Sequence, residues 1–257
     1  MMNYELGAKG IRFLNLHYKI YIVIKVGTCG FTYKHFRYFD TLEVQQTFYD
    51  IVSDIQLQKW RKLAEENNVE LTIKALQIIT HEYNTSTYKR MKHKFGDAKN
   101  YGSFKDTKEV KEATEITLRE AKELNAKIVI FQSPASFKPS DRNARAVIDY
   151  FSILDKKFKY GWEPRGEWYN ELELLRKVVE ESGVIHVVDP FKHTSLTTVK
   201  YYRLHGIGKG EVNYSYKYTD DDLKVLKNMV TDGSYVMFNN IYSFDDALRF
   251  KKLLSNK

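Results

Sequence analysis

Cysteine is the scarcest chemically versatile residue in this chain: one, Cys29, stands among 257 residues. A single thiol excludes an internal disulfide framework and any zinc site built from several cysteines, and such sparing use fits a reducing cytoplasm. No apolar run approaches the roughly 18 residues needed to cross a bilayer, so no membrane partner is expected. The opening MMNYELGAKG is too polar for a secretory signal, and HYKIYIVIKVG reads as a strand, so residues 1–17 are expected to be a loose extension. No basic block or arm is present either. The 41 Lys and Arg against 33 Asp and Glu are spread along the whole chain, and their net charge of +8 favours anionic partners. A surface rich in Lys and Glu, as in thermophiles, gives the same balance. No linker or internal repeat divides residues 18–257, and 43% hydrophobic content supports the core of one α/β domain, a size at which barrels of about 250 residues are common.

What the chain does have is a repeated alternation of β-rich runs and helical stretches, the pattern of βα units around a parallel sheet. Eight runs stand out: YIVIKVGT, TLEVQQTF, ELTIKAL, KIVIFQS, KYGWEPR, VIHVVDP, KYYRLHG and SYVMFNN. Eight strands predict a closed (β/α)8 barrel of the TIM type. Helix starts are marked by Ser53 with Gln56, Thr107, Asp141, Asn170, Thr219 with Asp222, and Ser243 with Asp246, and a stop by Gly183. The connections Gly30 to Asp40 and Pro190 to Val199 are too short for a full covering helix, so the barrel is expected to carry reduced helices after its first and sixth strands. Ile78 to Gly102 is long, basic and aromatic and is expected to arch over one end as a functional loop.

Parallel strands covered on both faces should be almost continuously apolar, and these are not. Glu43 and Gln45 lie in the second run, Lys74 in the third, Gln132 in the fourth, and Glu163 and Arg165 in the fifth. Asp189 follows in the sixth, Arg203 and His205 in the seventh, and Asn239 and Asn240 in the eighth. Most sit toward the carboxyl ends of their runs, where barrels of this kind carry their active sites. A self-neutralising structural network of three acids and three bases is the competing reading. Such networks add little stability, which weighs toward ligand binding or catalysis.

The ordered segments VGTCGF, FDTLEVQQTFYD, TIKALQIITHE, VIFQSPASF, GWEPRGEW, VVDP, YYRLHG and VMFNN resemble the motifs of the YecE-like family, a domain of unknown function, from about Val26 onward. The resemblance implies a TIM barrel of unsettled activity, for which nucleic-acid binding and metal-independent nuclease chemistry have been suggested. It adds His81 and Trp168 to the candidate site residues. Relatives often carry Ser at the position of Cys29, His or Asn near Gly166, a second proline near Pro134 and a full helix after the first strand.

Several groups bear on chemistry. His205, two residues after Arg203, can serve as a general acid or base beside an anion-binding guanidinium, or be a neutral histidine held by a carboxylate. GIGKGE, with Gly208 and Lys209, can cradle a phosphate on backbone amides. Tyr214, Tyr216 and Tyr218 can stack bases or pack the loop. Lys74 is a Schiff-base candidate, although pairing with a nearby carboxylate is the favoured expectation. Metal ions bind poorly where Lys74, Arg165 and Arg203 already neutralise the acids, so no metal or cofactor is expected.

These observations lead to an enzyme acting on a phosphate-containing substrate, nucleic acid included, without a metal. Glu43, Lys74, Glu163, Asp189 and His205 are the catalytic candidates; Arg165, Arg203, Gln45, Gln132, His81, Trp168, Gly208, Lys209, Asn239 and Asn240 are the binding candidates. The alternative is a nucleic-acid or ligand-binding barrel without turnover. The expected partner is an anionic small molecule or nucleic acid, and the oligomeric state is left open.

Overall fold

A computed structural model describes residues 24–83 and 88–255. The expected loose extension, residues 1–17, and the start of the first β-rich run lie outside these. Eight short strands close into a parallel barrel in chain order: β1 (Lys25–Cys29), β2 (Thr41–Val44), β3 (Glu70–Lys74), β4 (Ile128–Gln132), β5 (Lys159–Glu163), β6 (Ile185–Val188), β7 (Tyr201–Leu204) and β8 (Tyr235–Phe238). The ring is shut by β1 against β8, with Lys25 opposite Tyr235 and Thr28 opposite Phe238.

The connecting helices are α1 (Gln46–Tyr49), α2 (Asp54–Glu66), α3 (Lys108–Glu123), α4 (Asp141–Ser152), α5 (Leu172–Ser182), α6 (Asp220–Met229) and α7 (Ser243–Ser255). Their ends follow local chemistry. Ser53 accepts from the Gln56 amide at the start of α2, and Thr107 accepts from that of Val110 at the start of α3. Thr219 and Asp222 form a reciprocal capping box on α6. Gly183 ends α5 with φ +68°, a left-handed conformation that favours glycine. No helix among the described residues is long and apolar enough to cross a membrane.

The thin cladding expected after the first and sixth strands is present. A single 3-10 turn, Tyr33–Arg37, joins β1 to β2, and no helix joins β6 to β7. Two expectations need correction. The second β-rich run is a strand only to Val44; at Gln46 the chain turns into α1, which buries Phe48 against the barrel end. Ser243 is the first residue of α7, and Asp246 turns inward to accept from the Tyr218 amide and from Asn240 Nδ2.

Two apolar layers result. The larger lies between the sheet and the helices. The smaller fills the barrel interior with Ile128, Ile130, Ile185, Val187, Tyr201, Tyr235 and Met237. Because side chains alternate across a strand, the same inward column that begins with Ile128 and Ile130 continues to Gln132, and the one through Ile185 and Val187 continues to Asp189. Each column is thus apolar at its amino end and polar at its carboxyl end.

Candidate active site

Glu43, Lys74, Glu163, Arg165, Asp189, Arg203 and His205 are all buried. Arg203, on β7, reaches across the barrel in both directions. Its Nη2 donates to Glu43 Oε1 of β2 at 2.9 Å, while its Nη1 donates to Glu163 Oε2 of β5 and, at 3.0 Å, to Gln132 Oε1. Glu43 also accepts from Tyr201 Oη at 2.8 Å and from Gln45 Nε2. Glu163 Oε1 is shared by Arg165 Nη2 at 2.7 Å and His205 Nε2 at 2.8 Å. Asn239 Nδ2 lies 3.1 Å from His205 Nδ1. His205 Nε2 thus faces both an acceptor, Glu163 Oε1, and a donor, Arg165 Nη2 at 2.9 Å, and its role follows the tautomer.

Burial opposes ionisation of Glu163, yet Arg165 and Arg203, with His205, hold its carboxyl well below the ordinary carboxylate range. Burial pushes His205 down to about 4 against the pull of Glu163, so the imidazole is neutral at pH 7. Asp189 sits behind this set. It accepts from the backbone amides of His205 at 2.9 Å and Phe191 at 3.0 Å, thereby fixing the end of β7. Burial raises its carboxyl above the usual range.

Above this charged floor opens a cavity of about 580 Å³, lined by Gln45, Phe48, Tyr49, Lys74, His81, Lys89, Arg90, Gln132, Arg203, Tyr214 and Asn239. Among the described residues no carboxylate lines it. Lys74 does not form the expected ion pair: among the described residues it has no carboxylate partner, and its Nζ rests 3.6 Å from the centre of the Phe48 ring. The reason lies in the register, since Arg203 takes both Glu43 and Glu163. Burial, followed by the charge of Arg203, lowers Lys74 to about 7 against the opposing pull of Glu163 and Glu43. His81 bonds to Thr80 Oγ1 at 2.8 Å, and burial lowers it to about 3.

Other candidates fall elsewhere. Trp168 is fully buried, donates to the Phe137 carbonyl at 2.6 Å and packs edge-on against Trp162, so it is core. Asn240 donates to Tyr216 O and Asp246 Oδ2, both at 2.7 Å, and ties the β8 turn to α7. Gly208 and Lys209 are exposed and line no part of the cavity. Their turn is held through its carbonyls, which accept from Lys192 Nζ at Gly210 and Glu211, while the Glu211 carboxylate accepts from the Gly166 amide. An acid stands where the phosphate cradle was expected. Of the three tyrosines, only Tyr214 reaches the cavity; Tyr216 donates to Asp222, and Tyr218 is buried.

Sequence reasoning passed over Phe48, Tyr49, Lys89, Arg90 and Tyr201. Tyr201 carried a signal, being two residues before Arg203 on the same inward face. Lys89 and Arg90 lie in the segment read as a functional loop, although nothing local singles them out. Among the described residues, no group of three His, Cys, Asp or Glu side chains is arranged to hold a metal ion. A larger cleft of about 1140 Å³ lies outside the barrel between α3 and α4, and the polar ring does not face it.

Fold and site together define a (β/α)8 barrel with a basic cavity over a neutralised ionic floor at the carboxyl ends of its strands. The chain belongs to the family described as "Protein of unknown function DUF72", whose profile matches residues 26–257. A DUF72 family protein from Enterococcus faecalis V583 is similar in structure, with TM-score 0.69 at 16% identity over 91% of this chain and 96% of that one. Another from Thermotoga maritima MSB8 gives TM-score 0.64 at 23% identity over 91% and 99%. The protein SacUVDE shares the fold more distantly, with TM-score 0.55 at 10% identity over 84% and 80%. No curated protein matches the chain in sequence.

Proposed function

We propose that the protein is an enzyme acting, without a metal, on a small phosphate-bearing substrate held in the cavity above Arg203. The carrying observation is the charge of the wall: Lys74, Lys89, Arg90 and Arg203 line it and, among the described residues, no carboxylate does. A volume of about 580 Å³ suits a small molecule and is too confined for a nucleic-acid duplex. Lys89 and Arg90 supply charge at the rim, and Gln45, Gln132 and Asn239 supply orienting amides. Lys74, placed to lose its proton near neutrality, exchanges protons with the substrate. Glu163 and His205, beneath the floor, set the potential that Lys74 feels.

Calorimetric titration with inorganic pyrophosphate at several salt concentrations tests the binding half. Expected is an affinity that falls as salt rises and drops about tenfold in the Lys89→Ala Arg90→Ala double variant, the loss of one or two charge-assisted contacts. Binding that ignores both changes would remove the cavity as the site. The non-catalytic alternative draws on the mutual neutralisation of Glu43, Arg203, Glu163 and Arg165, two acids against two bases, which balances charge without a substrate. Unchanged substrate after long incubation of a panel of phosphate esters would favour it.

A further inference from the structure

Lys74 differs from the other cations of the cavity in what surrounds its nitrogen. One side is closed by the Phe48 ring, and Lys74 lines the cavity together with Arg203, whose charge acts on it along with those of Glu163, Glu43 and Arg165. No described carboxylate holds the ammonium, so the contact given up when the amine reacts is the one with the Phe48 ring. A lysine desolvated against an aromatic face and next to a second cation is the arrangement that activates an amine toward carbonyl carbon. Its acidity, brought down to about 7, leaves close to half of it neutral under physiological conditions. Among the described residues the wall offers no carboxylate for acid or base work on a phosphate ester, and the histidine it offers, His81, is hydrogen-bonded through Nδ1 to Thr80. The unengaged amine is therefore the strongest nucleophile in the cavity.

We propose that Lys74 is a covalent nucleophile and that the cavity takes a small phosphorylated aldehyde or ketone, held as an imine on Nζ. This rests on the reading of the cavity as a phosphate site. The neutral amine's lone pair attacks the carbonyl carbon, and the C=O π electrons move to oxygen. That oxygen takes up a proton while nitrogen loses one, giving a carbinolamine. Loss of the hydroxyl as water then forms the C=N bond, so amine and carbonyl are converted to imine and one water. Lys89 and Arg90 at the rim hold the phosphate, and Gln132 and Asn239 flank the reacting carbon. An imine protonated at nitrogen withdraws electrons from the neighbouring carbon, which assigns the reaction to proton abstraction or carbon–carbon bond chemistry next to the carbonyl.

The test uses the full chain, incubated at pH 7 with glycolaldehyde phosphate or, in parallel, glycolaldehyde. Sodium cyanoborohydride traps any imine, and peptide mass spectrometry locates it. Expected is labelling of Lys74 on the order of a hundredfold faster than of the exposed Lys62, because a desolvated amine beside a second cation is the more activated nucleophile, with the phosphorylated probe ahead of the plain one. Lys74→Met, close in volume, should lose that label. Lys89→Ala Arg90→Ala should keep Lys74 reactive and lose the preference for phosphate. Labelling of Lys74 no faster than Lys62 by either probe overturns the inference, and if pyrophosphate still binds, the phosphate site stands without it. Rapid but equal labelling by both probes keeps the nucleophile and overturns the phosphorylated substrate.

Discussion

Glu163 accepts from three cationic or polar donors at once: Arg203, Arg165 and His205. Removing its charge leaves Arg203 with Glu43 alone and Arg165 with no ion-pair partner among the described residues. Glu163→Gln is therefore expected to cost about 3–5 kcal/mol, measured by urea unfolding at pH 7. The pH dependence follows from the depressed carboxyl. Its stabilisation is fully present above the unfolded value near 4.3 and is lost as pH falls below it, so wild type should lose stability in acid more steeply than Glu163→Gln. At this scale the sequence was informative about which residues are polar and inward, because a charge in a strand buried on both faces is conspicuous. It was silent on who pairs with whom. The isolation of Lys74 depends on Arg203 spanning from β7 to both β2 and β5, a fact of barrel closure that no local pattern encodes. Trp168 misled because a tryptophan beside an ionic motif reads the same whether its indole faces ligand or a backbone carbonyl.

Among the elements, α6 has the most complete start: Thr219 accepts from the Asp222 amide at 3.1 Å, and Asp222 accepts from that of Thr219 at 2.7 Å. Thr219→Ala should lower stability by about 1 kcal/mol with little effect on pyrophosphate affinity, since the helix lies outside the cavity. Denaturation and calorimetry on the same variant check both halves. Helix starts were legible because capping needs particular side chains three residues apart. Ser243 with Asp246 carried the same pattern but sits one residue too far in, and its acid is taken by Tyr218 and Asn240. The glycine-rich turn after β7 was misread for a related reason. Glycine spacing reports that the backbone can come close, whereas whether amides or carbonyls face inward is decided by Lys192 and Glu211 from other segments.

For the whole molecule, the eight βα units and their two thin places were readable from the lengths between β-rich runs. The segment 190–199 joins β6 to β7 with no helix over it. Its amides are expected to exchange with solvent faster than those of β4 and β5, which are paired over five positions and covered by α3 and α4; hydrogen exchange by mass spectrometry checks this ordering. The closed ring has a further consequence during synthesis. Strand β1 finds its final neighbour only in β8, about two hundred residues later, so on the ribosome its outer edge stays without a partner until nearly the whole chain has emerged. Any chaperone that attends this protein has the longest exposed interval to guard at that first edge. Truncation before Tyr235 leaves an open sheet with two sticky margins, a form prone to join its own kind.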